Sequence, residues 1–304
     1  MSLILLQISI FSSIYIQPAS PTYDLFRWTD INTQKIIRWE NDTKIIDPNI
    51  KPVDLKISIY TNPTDLKDCE LSFGIPLETL NNINNNSKKL MSQKIYELQE
   101  YASSRGIKIS KNQNNITISP DYIWMIDQSV ALVQKYARKI IKVAKEKGYK
   151  KNIDLVGSIA SFCQSITYKM PEKNKVVDKK IIRTGGVMMP LEVLAKKYGD
   201  CDSKSVLFAS LIRSVNLGNV IFLTHPSITI GSQGHLFVGI NIKGYSENSK
   251  KNHIFWKDPL DSKKYLLLEL TAPWPMGKLP SDLENKVRKS KLTPIRLQRI
   301  KKDS

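Results

Sequence analysis

The sequence predicts an α+β chain, with strands and turns first, helices in the middle and strands again after them. Three observations predict it. Leu55-Lys56-Ile57-Ser58-Ile59 alternates apolar and polar residues, and Asn-Pro, Asp-Pro and Lys-Pro pairs punctuate the chain around it. From Tyr122 onward the apolar residues Ile126, Val130, Val133, Ala137 and Ile141 recur at helical spacing. After Gly218 the texture returns to strands, at 220–223, 236–242, 254–256 and 265–270.

The elements follow in order. Residues 3–16 are apolar and end near Pro18-Ala19-Ser20. They read either as a strand, because Leu6, Ile8 and Ile10 alternate with Gln7 and Ser9, or as an export signal without its basic start. Residues 1 to about 75 read as short strands, and 81–87 as a polar loop. Ile95, Leu98 and Tyr101 give residues 90–104 helical spacing, with Gly106 as a stop signal. Residues 107–109 and 116–118 read as a hairpin. Pro120-Asp121 opens the longest helix, about 122–147, and Gly148 ends it. A second helix covers about 153–166. A loop through Gly185-Gly186 and a short helix at 190–197 lead to a further helix that begins at Cys201. The expected division is an accessory, mostly β region at 1–120, a core at 121–280 and a basic, solvated tail at 281–304.

Composition narrows the function. The 304 residues carry 46 Lys and Arg against 28 Asp and Glu, a formal charge of +18. Scattered lysines supply most of that charge. No helix-turn-helix, stacking-aromatic or zinc-finger signal accompanies them, so specific nucleic-acid binding is not expected. A basic surface still favours weak contact with anionic surfaces. The three cysteines, Cys69, Cys163 and Cys201, make no disulfide framework and no Cys-x-x-Cys pair. No metal or cofactor is expected, and the oligomeric state is open.

The chemistry concentrates at Tyr198-Gly199-Asp200-Cys201-Asp202-Ser203-Lys204-Ser205, followed by an apolar run to Ile212. A thiol in the first turn of a buried helix meets the positive end of the dipole and unpaired N–H groups, which favour thiolate. The same N–H groups can hold an oxyanion. A nucleophilic cysteine needs a base. His225 stands before Pro226 in a turn, and His253 begins a short strand. His235 follows Gly231-Ser232-Gln233-Gly234 and opens a strand, so it is the sterically open candidate. Glu269, embedded in Leu266-Leu267-Leu268-Glu269-Leu270, needs a buried partner, and an imidazole N–H would serve. Asp258, before Pro259, is the alternative third member. The other open readings are a scaffold without turnover and a basic nucleic-acid- or surface-binding module.

The stretch Pro190 to Arg213, the Gly234-His235-Leu236-Phe237-Val238-Gly239 strand and Leu268-Glu269-Leu270-Thr271-Ala272 together resemble bacterial transglutaminase-like proteins. The resemblance spans about 153–279. It implies a papain-like core, with a nucleophile helix packed on an antiparallel sheet, and thiol-dependent hydrolysis or acyl transfer on amide bonds of protein or peptide substrates. It implies the triad Cys201, His235 and Glu269, with Gln164 as a candidate oxyanion donor. Where many relatives carry an acidic residue after the Asp that follows the cysteine, this chain has Ser203.

Overall fold

The computed structural model describes residues 24–29, 37–40, 43–46, 54–84, 88–112, 115–230, 233–245, 253–289 and 291–297. Residues 3–16 lie outside them.

The first third is mixed rather than mostly β. Strand β1 (Asp24–Thr29) pairs antiparallel with β4 (Asp54–Ile59), and β2 (Ile37–Glu40) with β3 (Thr43–Ile46). The period of two in β4 buries Leu55, Ile57 and Ile59 and exposes the residues between. Helix α1 (Pro63–Ser72) follows at once. Asn62-Pro63, read as strand punctuation, is a helix start. The Asn62 side chain accepts the Thr64 N–H at 2.8 Å, and Pro63 takes the first turn, where its missing N–H costs nothing. Strand β5 (Ile75–Pro76), helix α2 (Leu77–Asn84) and helix α3 (Lys88–Ser104) come next. Strands β6 (Ile107–Asn112) and β7 (Asn115–Pro120) form the expected hairpin.

Helix α4 (Tyr122–Glu146) starts under Asp121, whose carboxylate accepts the Ile123 and Trp124 N–H groups at 3.1 and 3.3 Å. Helix α5 (Asn152–Ser165) leads to β8 (Thr167–Tyr168). The expected loop after it contains a hairpin, β9 (Asn174–Val177) with β10 (Lys180–Arg183). Helix α6 (Pro190–Lys196) and β11 (Tyr198–Gly199) then deliver the chain to α7 (Cys201–Ser214). Val206, Leu207, Phe208, Leu211 and Ile212 of α7 are fully buried. Each such side chain contributes about 1.5–3 kcal/mol relative to exposure.

Helix α7 packs on a five-stranded antiparallel sheet, ordered β14 (Phe255–Lys257), β15 (Lys264–Leu268), β13 (Gln233–Ile242), β12 (Gly218–Ile230) and β16 (Thr293–Arg296). Alternation divides its faces. Phe222, Leu236, Val238, Ile240, Leu266 and Leu268 join the main core with α7. Ile221, Leu223, Phe237, Tyr265 and Leu267 form a second cluster with Leu283 and Val287 of α8 (Ser281–Lys289).

Over its described residues, 281–289 and 291–297, that second cluster corrects the reading of 281–304 as a solvated tail. Leu283 and Val287 share one face of α8, and β16 pairs with β12 along 293–296. The lysines and arginines masked an amphipathic helix. The boundary near 120 is not a packing boundary either. Leu55, Phe73, Ile75 and Ile107 belong to the same core as Met125, Val156 and Phe208. Among the described residues no helix is long and apolar enough to cross a membrane.

Candidate functional site

Cys201 is the first residue of α7, and Asp200 caps the helix ahead of it. One Asp200 oxygen accepts both the Ser203 N–H (3.0 Å) and the Ser203 hydroxyl (2.6 Å). The same Ser203 oxygen accepts the Met188 N–H at 3.0 Å. Ser203 is wholly buried. An acidic residue there would set a second carboxylate against Asp200, so the serine suits this cap. Burial, with the neighbouring Asp202 charge, lifts Asp200 to about 6.

The parallel pairing of β8 with β11 places Tyr168 opposite Gly199, two residues before Cys201. Lys169 N–H donates to Gly199 O at 3.2 Å and closes that ladder. Tyr168 is 41% exposed. Burial of part of its ring and the charges of Cys201, Asp200, Glu269 and Asp202 raise its hydroxyl to about 12. The group therefore stays protonated near neutrality.

Strand β13 supplies the imidazole. His235 is 1% exposed and lies edge-on to Phe237, ring centroids 4.6 Å apart. Extending the β13–β15 register by one residue brings Glu269 opposite Phe237, on the face His235 shares. His235 Nε2 and Glu269 Oε2 meet at 2.6 Å. The other Glu269 oxygen accepts the Thr271 N–H (2.7 Å) and hydroxyl (2.5 Å). Burial pushes the Glu269 carboxyl up, but the His235 bond and charge and the two Thr271 donors hold it below its usual range. An ionised Glu269 accepts, so Nε2 carries the proton. In the neutral imidazole Nδ1 then holds the lone pair. It is buried and has no hydrogen-bond partner.

The thiol is seated against the next peptide. The Leu236 backbone N–H acts on the Cys201 sulfur and lowers its pKa, while the thiol donates to Asp202 Oδ1 at 3.4 Å. Asp202 Oδ2 accepts the Tyr122 hydroxyl at 2.6 Å. No thiol–imidazole hydrogen bond is formed, since Nδ1 has no partner. Burial first, then the Asp202 and Asp200 carboxylates, pushes the Cys201 thiol above its ordinary value; the Leu236 N–H pulls the other way. The expected depression of this pKa by the helix terminus is therefore reversed in this state. Cys69 and Cys163 are also raised, each to about 12, chiefly by burial.

Gln164 needs correction as an oxyanion donor. Its amide nitrogen donates to Glu269 O and to Trp274 O, both at 2.7 Å. Carbonyl oxygens only accept, so both N–H groups are spent inside the fold. Asp258 is held elsewhere, accepting from Arg296 Nη2 at 2.7 Å and from the Leu260 N–H at 2.9 Å. His253 packs over Gly277, whose φ of +75° and absent side chain make room for the ring. The His225 side chain lies outside the described residues.

Sequence reasoning missed Tyr122, Tyr168, Thr271 and Lys204. Thr271 was visible as a hydroxyl two residues past a buried carboxylate, and Lys204 as a lone cation heading an apolar helix. Among the described residues no group of three His, Cys, Asp or Glu side chains could hold a metal ion. Comparison with known proteins gives no match, whether to a family model, a curated protein or a solved structure.

Proposed function

We propose that this chain is a thiol-dependent acyl-transfer enzyme of the transglutaminase-like, papain-like class, acting on amide bonds of protein or peptide substrates. One observation carries the reading. His235 has its Nε2–H fixed on ionised Glu269, its Nδ1 bare and buried, and the adjoining Leu236 N–H acting on the Cys201 sulfur. That is an oriented base one residue from the peptide N–H that acts on a sulfur at a helix N-terminus.

The thiol turns from Asp202, and Nδ1 takes its proton. Sulfur then bonds to the amide carbonyl carbon, and the carbonyl π pair moves onto oxygen. The Cys201 backbone N–H and the Tyr168 hydroxyl are the oxyanion donors in this reading. The oxyanion collapses, the C–N bond breaks, and the leaving amine takes the proton from the imidazolium. Water, losing a proton to Nδ1, attacks the thioester and releases acid and thiol; an amine could do the same and form a new amide. Glu269 stabilises the imidazolium throughout.

A second reading, a scaffold without turnover, is favoured by the raised thiol and by its bond to Asp202. Peptide aldehydes separate the two, because they form a hemithioacetal only with a competent thiol. We expect a stoichiometric mass increase mapped to Cys201 and none on Cys69 or Cys163. A panel of aldehydes that leaves Cys201 unmodified would support the scaffold.

A further inference from the structure

We infer that Lys204 is a positioning residue, a buried strut that fixes the distance between the nucleophile helix and the Glu269 loop. It rests on the acyl-transfer reading above. Lys204 lies three residues past Cys201, so it is on the same side of α7, one turn in. Its side chain is fully buried, with 0% exposure. Among the described residues no carboxylate forms an ion pair with it. Its ammonium donates to Ile166 O at 2.7 Å and to Gln164 O at 3.4 Å. These carbonyls end α5, where a helix leaves acceptors unpaired and favours a cation.

The chain of contacts then runs on. Gln164, gripped at its carbonyl by Lys204, grips Glu269 O and Trp274 O with its amide. Glu269 in turn holds His235. Ile166 O, the other anchor, directly precedes β8 and Tyr168. One side chain thus ties α7 to the strand bearing the phenol and, through Gln164, to the loop bearing the triad acid.

A buried ammonium is expensive to keep. The titratable groups facing it are the Cys163 thiol from α5, neutral in this pH range, and Glu269 from beyond β15, whose charge favours the cation; burial outweighs it and lowers Lys204 to about 8. An apolar residue of similar length would avoid that cost, and such exchanges are often neutral or stabilising. A lysine that only filled space could therefore become methionine without functional loss.

Lys204→Met and Gln164→Leu cut the strut at its two ends. The readouts are the rate of Cys201 carboxamidomethylation by iodoacetamide, the downfield proton resonance of His235 Nε2–H, and the thermal transition. We expect Lys204→Met to melt cooperatively, to lose about 10- to 100-fold in Cys201 rate, and to shift or broaden the Nε2–H signal. Gln164→Leu should do the same, and decides the matter alone if Lys204→Met does not fold. Cooperative melting with wild-type rate and an unmoved signal would overturn the inference. A His235→Asn control separates the two ideas. Equal rates in that variant and wild type remove the acyl-transfer reading, while the Nε2–H signal still reads the strut.

Discussion

Glu269→Ala is expected to lower Cys201-dependent acylation by up to about 10⁴-fold. The residue is 2% exposed and makes three hydrogen bonds through its two carboxylate oxygens. Without it the Nε2–H loses its acceptor, nothing selects the tautomer that leaves Nδ1 bare, and an imidazolium has no counter-charge. Stranding those donors also costs about 1–3 kcal/mol per group, so the melting temperature should fall as well. Glu269→Gln retains one acceptor oxygen. It can serve His235 or the Thr271 pair but not both, so part of the rate should survive. Acylation by p-nitrophenyl acetate and a thermal melt measure the two effects separately. Asp258→Ala is the control. It breaks the Arg296 contact and should move stability rather than rate. Full loss of rate in Asp258→Ala with none in Glu269→Ala would reverse the assignment.

A chain starting at Pro120 is expected not to fold. The sequence alone suggested an accessory region packed against a core that keeps its reactive cysteine without it, since 1–120 contains no histidine and its Cys69 lies among charges. The packing says otherwise. Phe73 stacks on Trp124 with centroids 6.2 Å apart, Tyr136 donates to Tyr60 O at 2.8 Å, and Asp121 N–H donates to Gly106 O at 2.8 Å. Phe73, Ile75, Ala102 and Ile107 have no exposed surface at all. Removing several fully buried side chains at about 2–5 kcal/mol each exceeds the roughly 5–15 kcal/mol that a domain has. Circular dichroism of the truncated chain should show no cooperative transition. A sharp melt with Cys201 still reactive would show that 121–297 holds its own core.

The sequence exposed the parts of the site that need a rare residue in a telling place. Cys201 sits behind a Gly-Asp turn, His235 opens a strand beside glycines, and Glu269 interrupts an apolar strand. The last two meet at 2.6 Å. What stayed hidden depends on backbone groups far away in the chain. Gln164 looked like an oxyanion donor because nothing in its own segment reveals the Glu269 and Trp274 carbonyls that occupy it. The Cys201 thiol was expected to be acidified by the helix end. Burial and two flanking carboxylates outweigh that, and burial cannot be read from a helix start. Helix α1 was lost because Asn62-Pro63 signals a turn and a helix start equally well. Helix α8 was lost because Leu283 and Val287 are few among many charges.

The claim on which the account turns is that His235 activates Cys201, and the pH dependence of Cys201 alkylation tests it most directly. Iodoacetamide labelling is followed by peptide mass spectrometry from pH 5 to 9 in wild type and in His235→Asn. An unaided Cys201 is pushed up by burial and its carboxylates, so it should stay nearly inert until pH rises past the ordinary thiol range. With proton transfer to Nδ1 it should react near neutrality, ahead of Cys69 and Cys163, and its rate should fall toward the acid end of the series. The account predicts that early limb in wild type and its loss in His235→Asn. Superimposable profiles for the two proteins would contradict it.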